Sequence, residues 1–111
     1  MLVALQDDNP RTDPAYMSQL QAGVKYRVIG IEYGSYRIKP TDFMPSLYPV
    51  ELFVIVDGAV EREWVVSSDS EGNICVGFPE LLRQGFWEDI LEGDEESAVE
   101  LEHRLSQLKI A

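Results

Sequence analysis

Residues 86–96 read FWEDILEGDEE and carry Glu88, Asp89, Glu92, Asp94, Glu95 and Glu96 with no base among them. Clustered carboxylates can share a proton as general acid and base, hold a hard cation, or present a negative surface. Acid–base work needs two converging groups, one of them in an apolar pocket that lifts its pKa. Glu88, Asp89, Glu92 and Asp94 stand at i, i+1, i+4 and i+6, a spacing that spreads them over a solvated helix face. Calcium binding needs alternating oxygen ligands closed by a distal bidentate glutamate. Neither DSEGN at 69–73 nor DDNPRTD at 7–13 has that spacing. The reading that remains is a negative surface, which Glu100 extends into the next helix.

Few other residues point to chemistry. His103 is the only histidine. It sits between Glu102 and Arg104 on the polar side of the last expected helix, without a second imidazole for a zinc or iron site. Cys75 lies between Ile74 and Val76 in an expected strand and reads as a small buried apolar filler, since no base neighbours it in sequence. Neither G-x-G-x-x-G nor G-x-x-x-x-G-K occurs, so nucleotide phosphates find no glycine cradle. The sequence therefore assigns no catalytic residue, no metal and no cofactor, and the expectation is a protein that is not an enzyme.

The net charge of −11 is unevenly placed. Residues 1–50 are neutral, with five acids and five bases, while residues 51–111 hold fifteen acids against Arg62, Arg83, Arg104 and Lys109. Such a body repels a nucleic-acid duplex or an anionic membrane unless its few bases gather on one face. Neither partner is expected. One cysteine cannot form an internal disulfide. No apolar run reaches the roughly 18 residues of a membrane helix, and MLVALQDD lacks the basic start of a signal peptide. The expected location is the cytoplasm.

The elements that must carry these residues follow from periodicity. Residues 1–22 read as a lead-in with a short helical turn around AYMSQLQ, ended by Gly23. VKYRVIGIE at 24–32 alternates through Val24, Tyr26 and Val28 and then switches its apolar face to Ile29 and Ile31, which predicts a bulge or bend beside Gly30. YGS forms a tight turn, YRIK at 36–39 returns, and SLY at 46–48 is a short strand. PVEL makes one helical turn with proline at its start, and FVIV at 53–56 reads as a buried strand. WVVSS, the DSEGN loop and ICVG form a hairpin, followed by the FPELL turn, an echo of LYPVELF about thirty residues earlier. FWEDILEG is a short helix. Asp94 then caps a final helix whose apolar stripe is Ala98, Leu101, Leu105 and Leu108. That stripe is expected to dock on the chain's own barrel rather than to zip to another molecule.

Together these elements predict a mainly β protein, a small SH3-like barrel of five or six antiparallel strands over residues 23–83, with an acidic helical tail over 84–111. YRVIGIEYGSYRI, LYPVELFVIVD and GFWEDILEGD resemble small bacterial proteins with an SH3-like barrel, in which an aromatic-Pro-Glu-Leu turn leads into the closing strand. The resemblance covers residues 23–94 and speaks for architecture; no binding residue is carried over from it.

What these observations leave is recognition. Among the aromatics, Tyr48, Phe53 and Trp64 are expected in the core, and Tyr33 and Tyr36, flanking a hairpin tip, form the expected exposed pair. The acidic face of Glu88, Asp89, Glu92, Asp94, Glu95, Glu96 and Glu100 is expected to engage a basic protein, with an immunity protein of a toxin nuclease as the sharpest case. An accessory subunit of a larger bacterial assembly and a divergent hydrolase are the alternatives. The expected state is a monomer or a weak dimer through the last helix.

Overall fold

The computed structural model describes residues 1–6, 20–40 and 44–109. Among them seven strands form one antiparallel sheet: β1 (Leu2–Leu5), β2 (Tyr26–Glu32), β3 (Ser35–Ile38), β4 (Ser46–Pro49), β5 (Phe53–Asp57), β6 (Val65–Ser68) and β7 (Ile74–Gly77). Three helices follow, α1 (Pro79–Leu82), α2 (Phe86–Leu91) and α3 (Glu95–Gln107). A 3-10 turn, Val50–Leu52, joins β4 to β5, as the PVEL run predicts. The helical turn expected around AYMSQLQ lies outside the described residues.

The long strand β2 organises the sheet. It pairs with β3 along one side; on the other, β1 takes its first half and β7 its second. β4 extends the sheet beyond β3, β5 beyond β1, and β6 beyond β7. No strand pairing among the described residues joins β4, β5 or β6 to one another, so the sheet is open rather than a closed ring.

The bulge that Gly30 predicts is present: Val28 opposes Ile38 and Gly30 opposes Arg37, leaving Ile29 as the extra residue. Its effect on the side chains differs from the expectation. Ile31 opposes Tyr36 and returns to the face of Val28 and Ile38, while Ile29 alone is pushed to the other face. Two cores result. One, on one face of the sheet, holds Val3, Leu5, Tyr26, Val28, Tyr36, Ile38, Tyr48 and Phe53; the other packs Ile29 against Phe78, Leu81, Phe86, Leu101, Leu105 and Leu108 under the helices. Burying each such side chain contributes roughly 1.5–3 kcal/mol, so the helical end is held to the sheet by packing rather than by helix propensity.

Where β2 meets β7, two glycines oppose each other, Gly30 and Gly77. A Cβ on Gly30 would lie 3.2 Å from the Val76 carbonyl oxygen. A side chain there would push the Val76 carbonyl back by a few tenths of an ångström, and glycine avoids that crowding.

The structure corrects four expectations. Leu2–Leu5 are not lead-in but β1, between β2 and β5, with Val3 and Leu5 buried. FVIV is not a buried strand: β5 pairs only with β1, and Val54, Ile55 and Val56 are 47, 57 and 45 % exposed. Tyr36 is no exposed aromatic; its parity along β3 matches Ile38, it stands opposite Tyr48, and it is 7 % exposed against the edge of the Phe53 ring. The buried face of α3 is Ser97, Leu101, Arg104 and Leu105, continued by Leu108, with Ala98 exposed. Ser97 and Arg104, both polar, set the rotation of that helix.

Candidate functional site

The acidic end is built by two polar networks before any surface is left over. Asp94 caps α3 as predicted: its carboxylate accepts from the Ser97 backbone N–H at 3.0 Å and from Ser97 Oγ at 2.7 Å. These bonds, the hydroxyl one foremost, hold its carboxyl below the ordinary value. The Ser97 hydroxyl in turn accepts from Arg83 Nη2 at 2.7 Å, and Arg83 Nη1 reaches Asp89 at 2.9 Å. One chain of contacts therefore ties the α1–α2 turn to the start of α3.

The second network lies at the middle of α3. Arg104, buried, donates to both oxygens of Glu80 on α1 (2.7 and 3.2 Å), to Glu63 before β6 (2.6 Å) and to Gln107. Its guanidinium lies 4.4 Å over the Phe78 ring. Hydrogen bonding to Arg104 draws the Glu80 carboxyl down and, reciprocally, raises the arginine. Bidentate geometry of this kind is what arginine supplies and lysine does not.

These networks sort the expected acidic face. Glu88, Glu92, Glu95 and Glu96 are exposed and have no ion-pair partner among the described residues. Asp89 and Asp94 are occupied by Arg83 and Ser97. Glu100 is half-buried, with one carboxylate oxygen enclosed and without a hydrogen-bond partner. The surface is narrower than the sequence suggests. It is also longer, because Glu88 stands on the rim of a cleft of about 600 Å³ that opens between the β2–β3 and β6–β7 hairpin tips and the α1–α2 turn.

Glu32, Asp69 and Glu71 line the same cleft. Glu32 accepts from Arg37 Nε at 2.8 Å, and the Arg37 guanidinium lies 3.9 Å over the Trp87 ring, closing the floor. Asp69 shapes the DSEGN loop by accepting from the Asn73 side chain and from the Glu71 and Asn73 backbones, and those bonds, with Asn73 first, hold its carboxyl low. The loop is thus an aspartate-organised turn.

Tyr33 stands at the mouth, 57 % exposed, at φ +54 and followed by Gly34 at φ +69. Two successive positive φ values make the turn that suits a tight hairpin, a position that favours Asn-Gly. A tyrosine there is strained, and its hydroxyl is the group that reaches across to Asp69; that hydrogen bond is the main reason its phenol is raised.

Cys75, on the cleft wall, is buried as expected, and burial foremost, then Glu32 and Asp69, raises its thiol. Such a thiol is a poor nucleophile. His103 is exposed on α3, where the sequence placed it. Among the described residues no three His, Cys, Asp or Glu side chains converge as metal ligands. No helix among them is long and apolar enough to cross a membrane.

The sequence reading missed the cleft because its acids come from positions 32, 69, 71 and 88, which no local window joins. The available signal was the Tyr-Gly turn, where an asparagine is the ordinary choice. The chain matches no family model, no curated protein and no solved structure, and the reading of this site rests on its own geometry.

Proposed function

We propose that the protein is a non-enzymatic binding protein whose acidic end captures a basic protein. Tyr33 and Glu88 flank the cleft that receives a basic segment, and Glu92, Glu95 and Glu96 steer it there. The observation that supports this reading is that Glu88, which lines the cleft, and Glu92, Glu95 and Glu96 have no ion-pair partner among the described residues, while the cleft's own guanidinium groups, Arg37 and Arg83, are paired. An entering lysine or arginine meets negative charge and an exposed aromatic ring, the combination that favours cations. An inhibitor that neutralises a basic toxin is the sharpest case. The compartment that suits a chain with one buried thiol is the cytoplasm, and an SH3-like barrel left open at its edge is the architecture proposed for the seven antiparallel strands.

Association rates with a panel of small basic proteins, measured at rising salt, test the proposal. The on-rate should fall with ionic strength, and Glu88→Lys, Glu92→Lys and Glu96→Lys together should abolish capture. Equal capture by this triple variant would reject the acidic end as the docking surface.

A second reading, an accessory subunit, draws on β5. The α3 stripe it invoked is spent on the chain's own core, but Val54–Val56 lie on a sheet edge that no other described strand pairs, the place where another strand adds.

A further inference from the structure

One edge of the sheet leads into the acidic cleft. β6 pairs with β7 on one side, and no other described strand pairs with it on the other. All four of its residues are exposed, Val66 by 71 %. Its sequence, VVSS, carries neither the lysine nor the proline that commonly keeps an edge from acquiring another strand. Alternation divides its side chains between two surroundings. Ser67 stands opposite Cys75, and both line the cleft. Val66 stands opposite Val76, which itself opposes Ile31, so it is turned to the other face of the sheet. Asp69 and Glu71 follow directly on the strand and line the cleft as well, with Glu88 of α2 on its rim.

From this arrangement we infer that β6 takes up an extended segment of the partner as an added strand, one in which basic and apolar residues alternate. The inference rests on the acidic-end capture proposed above and gives the captured segment its shape. Backbone hydrogen bonds along β6 hold the segment, and its alternate side chains supply the selectivity. A lysine or arginine opposite Ser67 projects to the cleft side, toward Glu71 and Glu88. The neighbouring residue, opposite Val66, projects to the other face, where an apolar side chain covers the exposed valine.

A second copy of the chain is the weaker occupant of this edge. Antiparallel contact between two β6 strands sets Asp69 and Glu71 of each copy near Glu61 and Glu63 of the other, and like charges so placed repel. β5, the other exposed apolar edge, contributes no residue to the cleft. A basic strand added there lies away from the cleft carboxylates.

Two peptides of identical composition provide the test, one with lysine and valine strictly alternating and the other with them in separate blocks. Each is titrated into the full chain and followed by backbone amide NMR. The alternating peptide should bind tighter than its block isomer by about tenfold or more, shift the Val65–Ser68 amides and slow their exchange. Methylating the backbone nitrogens of its lysines alone, or of its valines alone, blocks one edge of the peptide at a time, so one of these two forms should lose binding and the other keep it. Ser67→Lys, at an exposed position on the cleft side, should weaken the alternating peptide by about tenfold or more, while Val54→Lys on β5 should leave it unchanged. Circular dichroism of each variant confirms folding. The inference is overturned by equal binding of the two isomers, by methylated forms that both bind or both fail, by equal weakening in Val54→Lys, or by a concentration-dependent mass of the chain that the peptide lowers, which would assign β6 to contact between copies. If basic proteins are still captured in a salt-dependent way after such a failure, only the added strand falls; if they too go uncaptured, the acidic-end proposal falls with it.

Discussion

The Arg104 guanidinium lies 4.4 Å above the Phe78 ring while it grips both oxygens of Glu80. An arginine so placed is more than a surface ion pair, because its own side chain is only 9 % exposed even though Glu63 and Glu80 remain open to water. Arg104→Ala should therefore cost about 2 kcal/mol, below the 3–5 kcal/mol of a fully enclosed pair since both carboxylates can rehydrate. Arg104→Lys should recover part of the loss. Urea unfolding of the two variants decides it; equal stability of Arg104→Ala and the parent would reduce the network to decoration.

Acid should weaken the same contact. The folded Glu80 carboxyl lies below its ordinary value of 4.5, and Asp69 and Asp94 lie below 3.8. A depressed folded value means the unfolded chain binds protons more readily, so these contributions are complete above about pH 4.5 and disappear as pH falls through the lower folded values. Glu80→Gln should be less stable than the parent at neutral pH, with the gap closing in acid. A gap that stays constant down to pH 3 would contradict the assignment.

Gly30→Ala tests the strand crossing. Alanine normally suits a strand better than glycine, but here its methyl would meet the Val76 carbonyl oxygen, held by the β2–β7 and β6–β7 ladders. Overpacking against fixed backbone typically costs about 1–3 kcal/mol. Thermal melts should place Gly30→Ala well below the parent, and below Gly77→Ala, whose nearest contacts begin at 3.4 Å.

Among the described residues β5 and β6 are edge strands, each paired on one side alone, and they present Val54 and Val66 without a lysine or proline to discourage another edge. Val54→Lys with Val66→Lys should lower light scattering of concentrated solutions while leaving the melting temperature within a few degrees. Increased scattering would show that these side chains do not mediate self-association.

Much of the strand order was legible because alternation is a local property. Gly30 announced the bulge, Tyr33-Gly34 the turn, Asp94 the cap. What escaped depended on partners far along the chain. LVAL is too short to announce a strand, and its burial depends on β5, fifty residues later. FVIV read as buried because four apolar residues imply cover on both faces, yet none of the described elements covers this edge. Tyr36 was misjudged by its closeness to the hairpin tip, although its parity with Ile38 already pointed inward. Of the site, the exposed glutamates at 88, 92, 95 and 96 were readable from composition. The Arg104 network was not, as its carboxylates stand 24 and 41 positions away, and the cleft cannot be seen without the sheet that assembles it.

The single-residue bulge in β2 has a mechanical consequence. Val28 is rooted in one hydrophobic core and its neighbour Ile29 in the other, and Trp64 touches both. Neither half can open without pulling on the peptide bond between those two residues, so the helical end and the sheet are geared together. Amide exchange should report a single opening event spanning both, and a ligand gripping either end should slow exchange across the whole molecule.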